Sequence, residues 1–414
     1  DASTAQVSAW DEINYYDFSQ PVYKIVDAGD KILMGRNVDL RYNREIGPRL
    51  VAFDKETGEL LDGSMPFVDG AVKSIAVDLN NDKVLAGGVF SSFGGVSRSS
   101  LAALDMDTRQ ITNWDANLNF PATVNDIEID GSKMYVGGGF TSAGGLSRNN
   151  IAAISTCDGS VYDWHPNLDN TVYALELNED KTRLFVGGDF LYVDDEPVNR
   201  LVSFSTNTGE IVRSWKPAVN NRVSDIEVRG SNVYISGKFN AVEGVEKKMV
   251  AGLNAETGAL TDFSPEFEYY CDYTYGGSDI DLDSSGQRIF MVGDFSCGSV
   301  YRNIVGYNIS DSSKLNLPVD LTSQDGVSVS VSGDDSILYV GKYGRIYSID
   351  LNTYLETGWT YNLSSTSHFI NDMYEKSSSL FAVGSFSSVG GLSTNKFVQF
   401  GEYADIDSPI DCSA

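Results

Sequence analysis

Positive charge is scarce in this chain: 30 lysines and arginines stand against 58 aspartates and glutamates, a formal net charge of −28 at pH 7. A surface that acidic repels phosphate backbones and anionic lipid, which excludes nucleic acid as a partner. Histidine is scarcer still, with two in 414 residues. His165 follows Trp164 at a position where sister segments carry Asp115, Lys216 and Thr360, so it reads as a solvent-facing loop residue. His368 stands alone. There is no His-Glu-x-x-His, nucleophile elbow or phosphate loop, and the sequence nominates no catalytic residue. The four cysteines, Cys157, Cys271, Cys297 and Cys412, form no C-x-x-C pair, which argues against a zinc cluster. No apolar run approaches the ~18 residues of a spanning helix.

Glycine and aromatics are plentiful. Forty glycines and an 11% aromatic share lean toward an all-β chain dense in turns, and a 42% hydrophobic share supplies a core. The opening Asp1-Ala2-Ser3-Thr4 reads as the start of a processed product. With isolated cysteines in even number, it points to a secreted or cell-surface location.

The segment Thr123–Pro166 holds four short strand-like runs, VNDIEI, KMYVGGGF, NIAAIS and SVYDW, separated by turn signals. The same succession returns with starts at Val22, Val72, Val124, Val172, Val223, Asp279, Val327 and Ile370. A period near ~50 residues is the size of a four-stranded propeller blade. The second runs are the clearest, as in KVLAGGVF at Lys83, RLFVGGDF at Arg183 and RIFMVGDF at Arg288. Their alternating large apolar residues predict a buried strand, and their glycines a close approach between neighbours or a bulge. Trp114, Trp164, Trp215 and Trp359 each end a fourth run, and Trp10 sits in QVSAWDE ahead of any complete unit. The last unit stops after KFVQFGEY without a fourth run, so the N-terminal segment is expected to supply it and close a ring. The expectation is one domain over residues 1–414: a closing strand and link at 1–21, blades over 22–403 and a tail over 404–414. The fold class is all-β, an eight-bladed β-propeller, or a seven-bladed one if the unit at Val327 merges with its neighbour.

The pattern in KMYVGGGFTSAGGLSRNNIAAIS, with the Thr-Gly turn of sister repeats such as Thr208-Gly209 and a Trp-x-Pro ending, resembles the delta-sixty-repeat β-propellers. These are kelch-like repeats of exported bacterial proteins and some fungal surface proteins. The resemblance covers Ala5–Tyr403, is strongest over Val72–Pro217 and weakens over Asp279–Ser367. It implies a propeller in an exported or cell-surface protein and carries over no catalytic residues.

Four sets of residues are candidates for chemistry. Asp126, Asp225, Asp279 and Asp372 share one position of the first run, which lines the channel of a propeller. As a ring of hard oxygen ligands they suit calcium, which the fold does not require. The alternative is a structural network with the basic residues that recur before the third run, Arg49, Arg200, Lys248, Arg302 and Lys396. The turn from Asp281 to Gly286 opens like an EF-hand loop but lacks the distal Glu and reads mainly as an Asx turn. The stretch Ser264–Gly277 is a longer inter-blade loop carrying Phe267, Tyr269, Tyr270, Tyr273 and Tyr275 beside Glu268 and Asp272. Aromatic faces next to carboxylates suit stacking on a sugar or docking of a protein, with the acidic loop Tyr192–Glu196 as a rim. Strand order puts Cys271 and Cys297 on one face and Cys157 and Cys412 on the other, which predicts Cys271–Cys297 and Cys157–Cys412 disulfides. The functional expectation is a binding or adhesion module for carbohydrate or protein at a cell surface. The alternative is a polysaccharide-active hydrolase or lyase using carboxylates at the channel mouth.

Overall fold

Every described segment of the chain is strand, turn or irregular link; among the described residues there is no helix, and so none that could cross a membrane. The structure, a computed structural model, describes residues 6–8, 22–28, 31–36, 50–54, 61, 66–79, 81–265, 271–297, 300–317, 328–342, 344–363, 370–376, 379–384, 388–389, 392–393 and 397–401. Trp10, Phe267, Glu268, Tyr269, Tyr270, His368 and Cys412 lie outside them.

The strands fall into small antiparallel sheets that follow the sequence period. Unit 3 shows the pattern: Thr123–Asp130 pairs with Lys133–Gly139, which pairs with Ile151–Ser155. The same three-strand sheet forms around Val22–Asp27 (unit 1), Ala71–Asp78 (unit 2), Val172–Leu177 (unit 4), Val223–Arg229 (unit 5) and Cys271–Leu282 (unit 6). Unit 7 has four strands, from Ser328–Val331 to Leu355–Asn362. In unit 8, Ile370–Lys376, Ser379–Gly384 and Phe397–Gly401 are joined by the N-terminal strand Gln6–Ser8, with Gln6 opposite Gly401, Val7 opposite Phe400 and Ser8 opposite Gln399.

The fourth run differs from expectation in units 2 to 6. There it is reduced to one bridge, as at Leu104–Ile111, Ile154–Val161 and Phe204–Ile211. The turn after the third strand brings one residue into register, and in units 2 to 4 the chain then leaves the sheet to seat its tryptophan against the next unit. Trp114 Nε1 donates to Ser155 O at 2.7 Å, Trp164 Nε1 to Gly209 O at 2.6 Å and Trp215 Nε1 to Asn254 O at 2.8 Å. In unit 5, Phe263 takes the tryptophan's place, edge-on between Tyr234 and Tyr307, as Trp164 stands between Tyr135 and Phe204.

The core lies mainly between sheets. One cluster joins Leu85 and Leu101 of unit 2 to Val124, Met134 and Ile154 of unit 3, and the same pairing recurs for units 3 and 4 and for 4 and 5. Second strands are therefore apolar on both faces, which explains their near-continuous hydrophobic runs. The first glycine of each Gly-Gly pair makes room for the neighbour. A Cβ on Gly87 would lie 2.4 Å from Val124 Cγ1, one on Gly137 2.5 Å from Val172 Cγ1, and one on Gly187 2.6 Å from Val223 Cγ1. The first strands lie side by side in chain order through units 1 to 8, and that of unit 8 also touches that of unit 1. Each first strand of units 1 to 6 and 8 carries a bulge just before the position that holds Asp126 in unit 3 and Asp225 in unit 5.

Candidate functional site

The later part of the aromatic stretch before unit 6 is strand, not loop. Cys271–Gly277 belongs to a twelve-residue strand, in which Asp272 opposes Ser296 and Gly276 opposes Asp294. Tyr273 and Tyr275 fall in the irregularity between those two pairs. Cys271 is directly opposite Cys297 in the backbone register. Cys157 is an exposed free thiol. The acidic rim segment is a tight hairpin, with Tyr192–Val193 on Glu196–Pro197 and Asp194 and Asp195 at φ of 46° and 66°, where unit 3 uses Gly144 and Gly145. Glu196 is held there by Lys216 Nζ at 2.6 Å and by Arg213.

The inner strands concentrate carboxylates. Asp126 accepts from Ile127 N at 2.9 Å and, across the unit boundary, from Leu175 N at 2.8 Å. Asp225 repeats this with Ile226 N at 3.0 Å and Ile280 N at 2.9 Å. An innermost strand has an unpaired edge, and these side chains satisfy its amide donors. Of the recurrent basic residues, Arg200 Nη1 donates to Val219 O and Lys248 pairs with Glu246, while the side chains of Arg49, Arg302 and Lys396 lie outside the described residues. Two residues further along, Glu128, Glu176 and Glu227 form a second acidic row that sequence reasoning passed over. Burial, reinforced by Asp126 and Glu227 and opposed by Lys181 and Lys24, pushes Glu128 up to about 8. Burial, with Glu128, Glu227, Asp126 and Asp225 around it, pushes Glu176 up to about 10. Burial also raises Asp126, against the pull of its amide donors and Lys24. Among the described residues no group of three or more His, Cys, Asp or Glu is arranged to hold a metal ion. In the turn after Asp281, Asp283 accepts from Gln287 N and Arg288 N, four and five residues on, and pairs with Arg288 Nε at 2.7 Å, so its carboxylate is engaged within its own hairpin.

A cleft of about 190 Å³ opens between units 3 and 4. Its floor is aromatic, with Tyr135, Tyr162, Trp164 and Phe204, and its mouth is polar, with Lys133, Asp163, Asn207 and Thr208. Sister clefts are closed: Trp114 is 3% exposed, Trp215 0% and Phe263 1%. Trp164 stays half-buried and Tyr162 is 37% exposed. A basic latch accounts for much of the contrast. The residue that starts the second strand reaches the turn after the next unit's third strand: Lys83 Nζ to Thr156 O at 2.8 Å, Arg183 Nη1 to Ala255 O at 2.7 Å, Arg288 Nη1 to Leu351 O at 3.1 Å. Lys133 holds the same place in unit 3, yet its Nζ lies over the rings of Tyr135 and Tyr162, 5.7 and 5.6 Å from their centres. Among the described residues it makes no hydrogen bond to the turn at Thr206–Gly209. His165 stands outside the cleft's lining, 3.5 Å from Asp163.

No family model matches the chain, and no curated protein matches it. Among solved structures it is similar to the computationally designed Ika8 protein, with a TM-score of 0.61 over 93% of this chain and 97% of that one at 10% identity. At that identity the likeness concerns the fold alone.

Proposed function

We propose that the chain is a closed, eight-bladed β-propeller of the delta-sixty-repeat kind that works as an exported or cell-surface module binding carbohydrate or protein. The ring is supported by the contact between the first strands of units 8 and 1 and by the pairing of Gln6–Ser8 with Gln399–Gly401. The similarity to the designed protein along nearly the whole of both chains agrees with it. The observation that carries the binding role is the open aromatic cleft between units 3 and 4, where the corresponding aromatics Trp114, Trp215 and Phe263 are buried at their own boundaries. Aromatic floors with a few convergent polar groups are the usual make-up of ligand sites. The competing enzyme reading draws on Glu128 and Glu176, whose raised protonation suits a general acid.

A glycan array probed with the purified protein, with and without EDTA, tests the module. Unchanged glycan retained on the protein is the expected result, and the EDTA arm reports any role for calcium. New reducing ends, or no retention of any glycan together with no adhesion to intact cells, would defeat the proposal.

Cys271 and Cys297 are proposed as a cross-strand disulfide. Directly opposed Cα atoms in an antiparallel pair are about 4.5–5.5 Å apart, inside the range of roughly 4.4–6.8 Å that a disulfide spans. Peptide mapping of unreduced protein should recover the linked pair. Alkylation of both thiols without reductant would refute it.

A further inference from the structure

We infer that the cleft between units 3 and 4 is a subsite for one neutral sugar residue, which occupies the space that the basic latch closes in sister units. The inference rests on the binding role proposed above and assigns it a site.

The latch is the starting observation. Lys83, Arg183 and Arg288 each spend their charge on a carbonyl of the next unit and thereby cover the boundary. At the third boundary the corresponding acceptors, the carbonyls of Thr206 and Asn207, receive no such cation, and Lys133 stays on its own side against two tyrosines. The missing latch is not sufficient alone. Unit 5 starts its second strand with Asn232, yet Phe263 is closed off. Unit 3 also has Tyr162 where units 2 and 5 have Thr112 and Thr261, so its boundary gains a second aromatic wall.

The chemistry selects the occupant. Trp164 and Tyr162 offer ring faces on which the C–H face of a pyranose packs. Lys133 and Thr208 supply donors; Asp163 and the turn carbonyls supply acceptors. A ligand that is donor and acceptor at every edge fits this set. A cationic ligand would meet Lys133, already held over the rings it would need, and an anionic one would face Asp163 and a net charge of −28. At about 190 Å³ the cleft lies below the roughly 300–1,000 Å³ of pockets for drug-sized ligands, which suits a single small ring. A chain of sugars would place one residue here and run outward past Asp163.

Methyl glycosides of neutral hexoses, with glucose, galactose and mannose as the sugars, are titrated against the full chain while tryptophan fluorescence is read. Two variants follow the repeat's own solutions: Lys133→Arg, which restores an Arg183-like latch, and Tyr162→Thr, which copies Thr112. The expected result is saturable millimolar-range binding of at least one glycoside, weakened about tenfold or more in both variants. Their thermal midpoints should not fall, because both residues are native to the same position in sister units. Equal affinity of wild type and both variants, or no saturable binding of any glycoside, would overturn the subsite. If array glycans are still retained by wild type and variants alike, the subsite falls and the binding module stands. If the wild type retains none, the subsite falls, and if it also fails to adhere to intact cells the module falls with it.

Discussion

Gly137→Ala is expected to lower stability by about 2–3 kcal/mol, a large effect for one methyl group. The new Cβ would lie 2.5 Å from Val172 Cγ1 and 3.2 Å from Leu175 Cγ, both on the first strand of the next unit. Neither neighbour has room to retreat, because Val172 is fully buried and Leu175 belongs to the same core cluster. The overlap is relieved only by parting units 3 and 4 or by driving Val172 out of its rotamer. A double-mutant cycle checks the cause. In a Val172→Ala background the same glycine substitution should cost at least 1 kcal/mol less, roughly the size of coupling seen between touching residues. Urea midpoints at constant m-value give both numbers. Equal cost in the two backgrounds would mean that the glycine is needed for its own backbone and not for the seat it offers Val172.

Glu176→Gln should raise stability at pH 8 and leave it nearly unchanged near pH 4.5. Glu176 is held protonated by burial and by Glu128, Glu227, Asp126 and Asp225, with its folded value near 10 against 4.5 for the free group. Between those limits the folded chain keeps a proton that the unfolded chain releases. The unfolded state then binds fewer protons, so stability falls as pH rises through this window, by at most about 1.4 kcal/mol per pH unit for one proton. Glu128 acts in the same sense between 4.5 and about 8. Glutamine keeps the volume and removes the titration. The gain at pH 8 should therefore be on the order of 2–4 kcal/mol, with a flatter stability profile above pH 5. Thermal unfolding of both proteins at half-unit steps from pH 4.5 to 9 measures it. Parallel profiles would show that Glu176 is ionised and solvated in the folded chain.

The repeat was legible because its signals are local. KVLAGGVF and its sisters announce a strand buried on both faces, and the Gly-Gly pair shows that something must come close, though not that it is the valine opening the next unit. Phe263 was within reach of the same reading, since Asp-Phe-Ser-Pro stands where unit 3 has Asp-Trp-His-Pro. Contacts across units were not legible. The carboxylate of Asp126 finds its donor at Leu175, 49 residues away, and no spacing rule separates that from a salt bridge to a recurrent arginine. Glu128, Glu176 and Glu227 look like solvated positions of an alternating strand, and only the meeting of neighbouring first strands makes them a mutually repelling row. The cleft escaped for a subtler reason. Lys133 fills a slot that is basic in several units, so sequence marks it as ordinary, while its departure lies in where its side chain goes. The stretch before unit 6 misled in the opposite direction. Length and turn-like composition suggested a loop, whereas Cys271–Gly277 extends a strand by pairing with the equally extended Asp294–Cys297.

Ring closure through the N-terminal strand is tested most directly by a cross-link between the two ends of the chain. With Cys157 and Cys412 changed to serine, a Val7→Cys, Phe400→Cys protein is oxidised mildly under native conditions and mapped by peptide mass. Residues 7 and 400 are opposite one another in the register, so the closed ring predicts a bridge between the first and last strands, formed in the folded protein and lost when it is unfolded before oxidation. Two free thiols in folded protein, or bridges only between separate molecules, would contradict it.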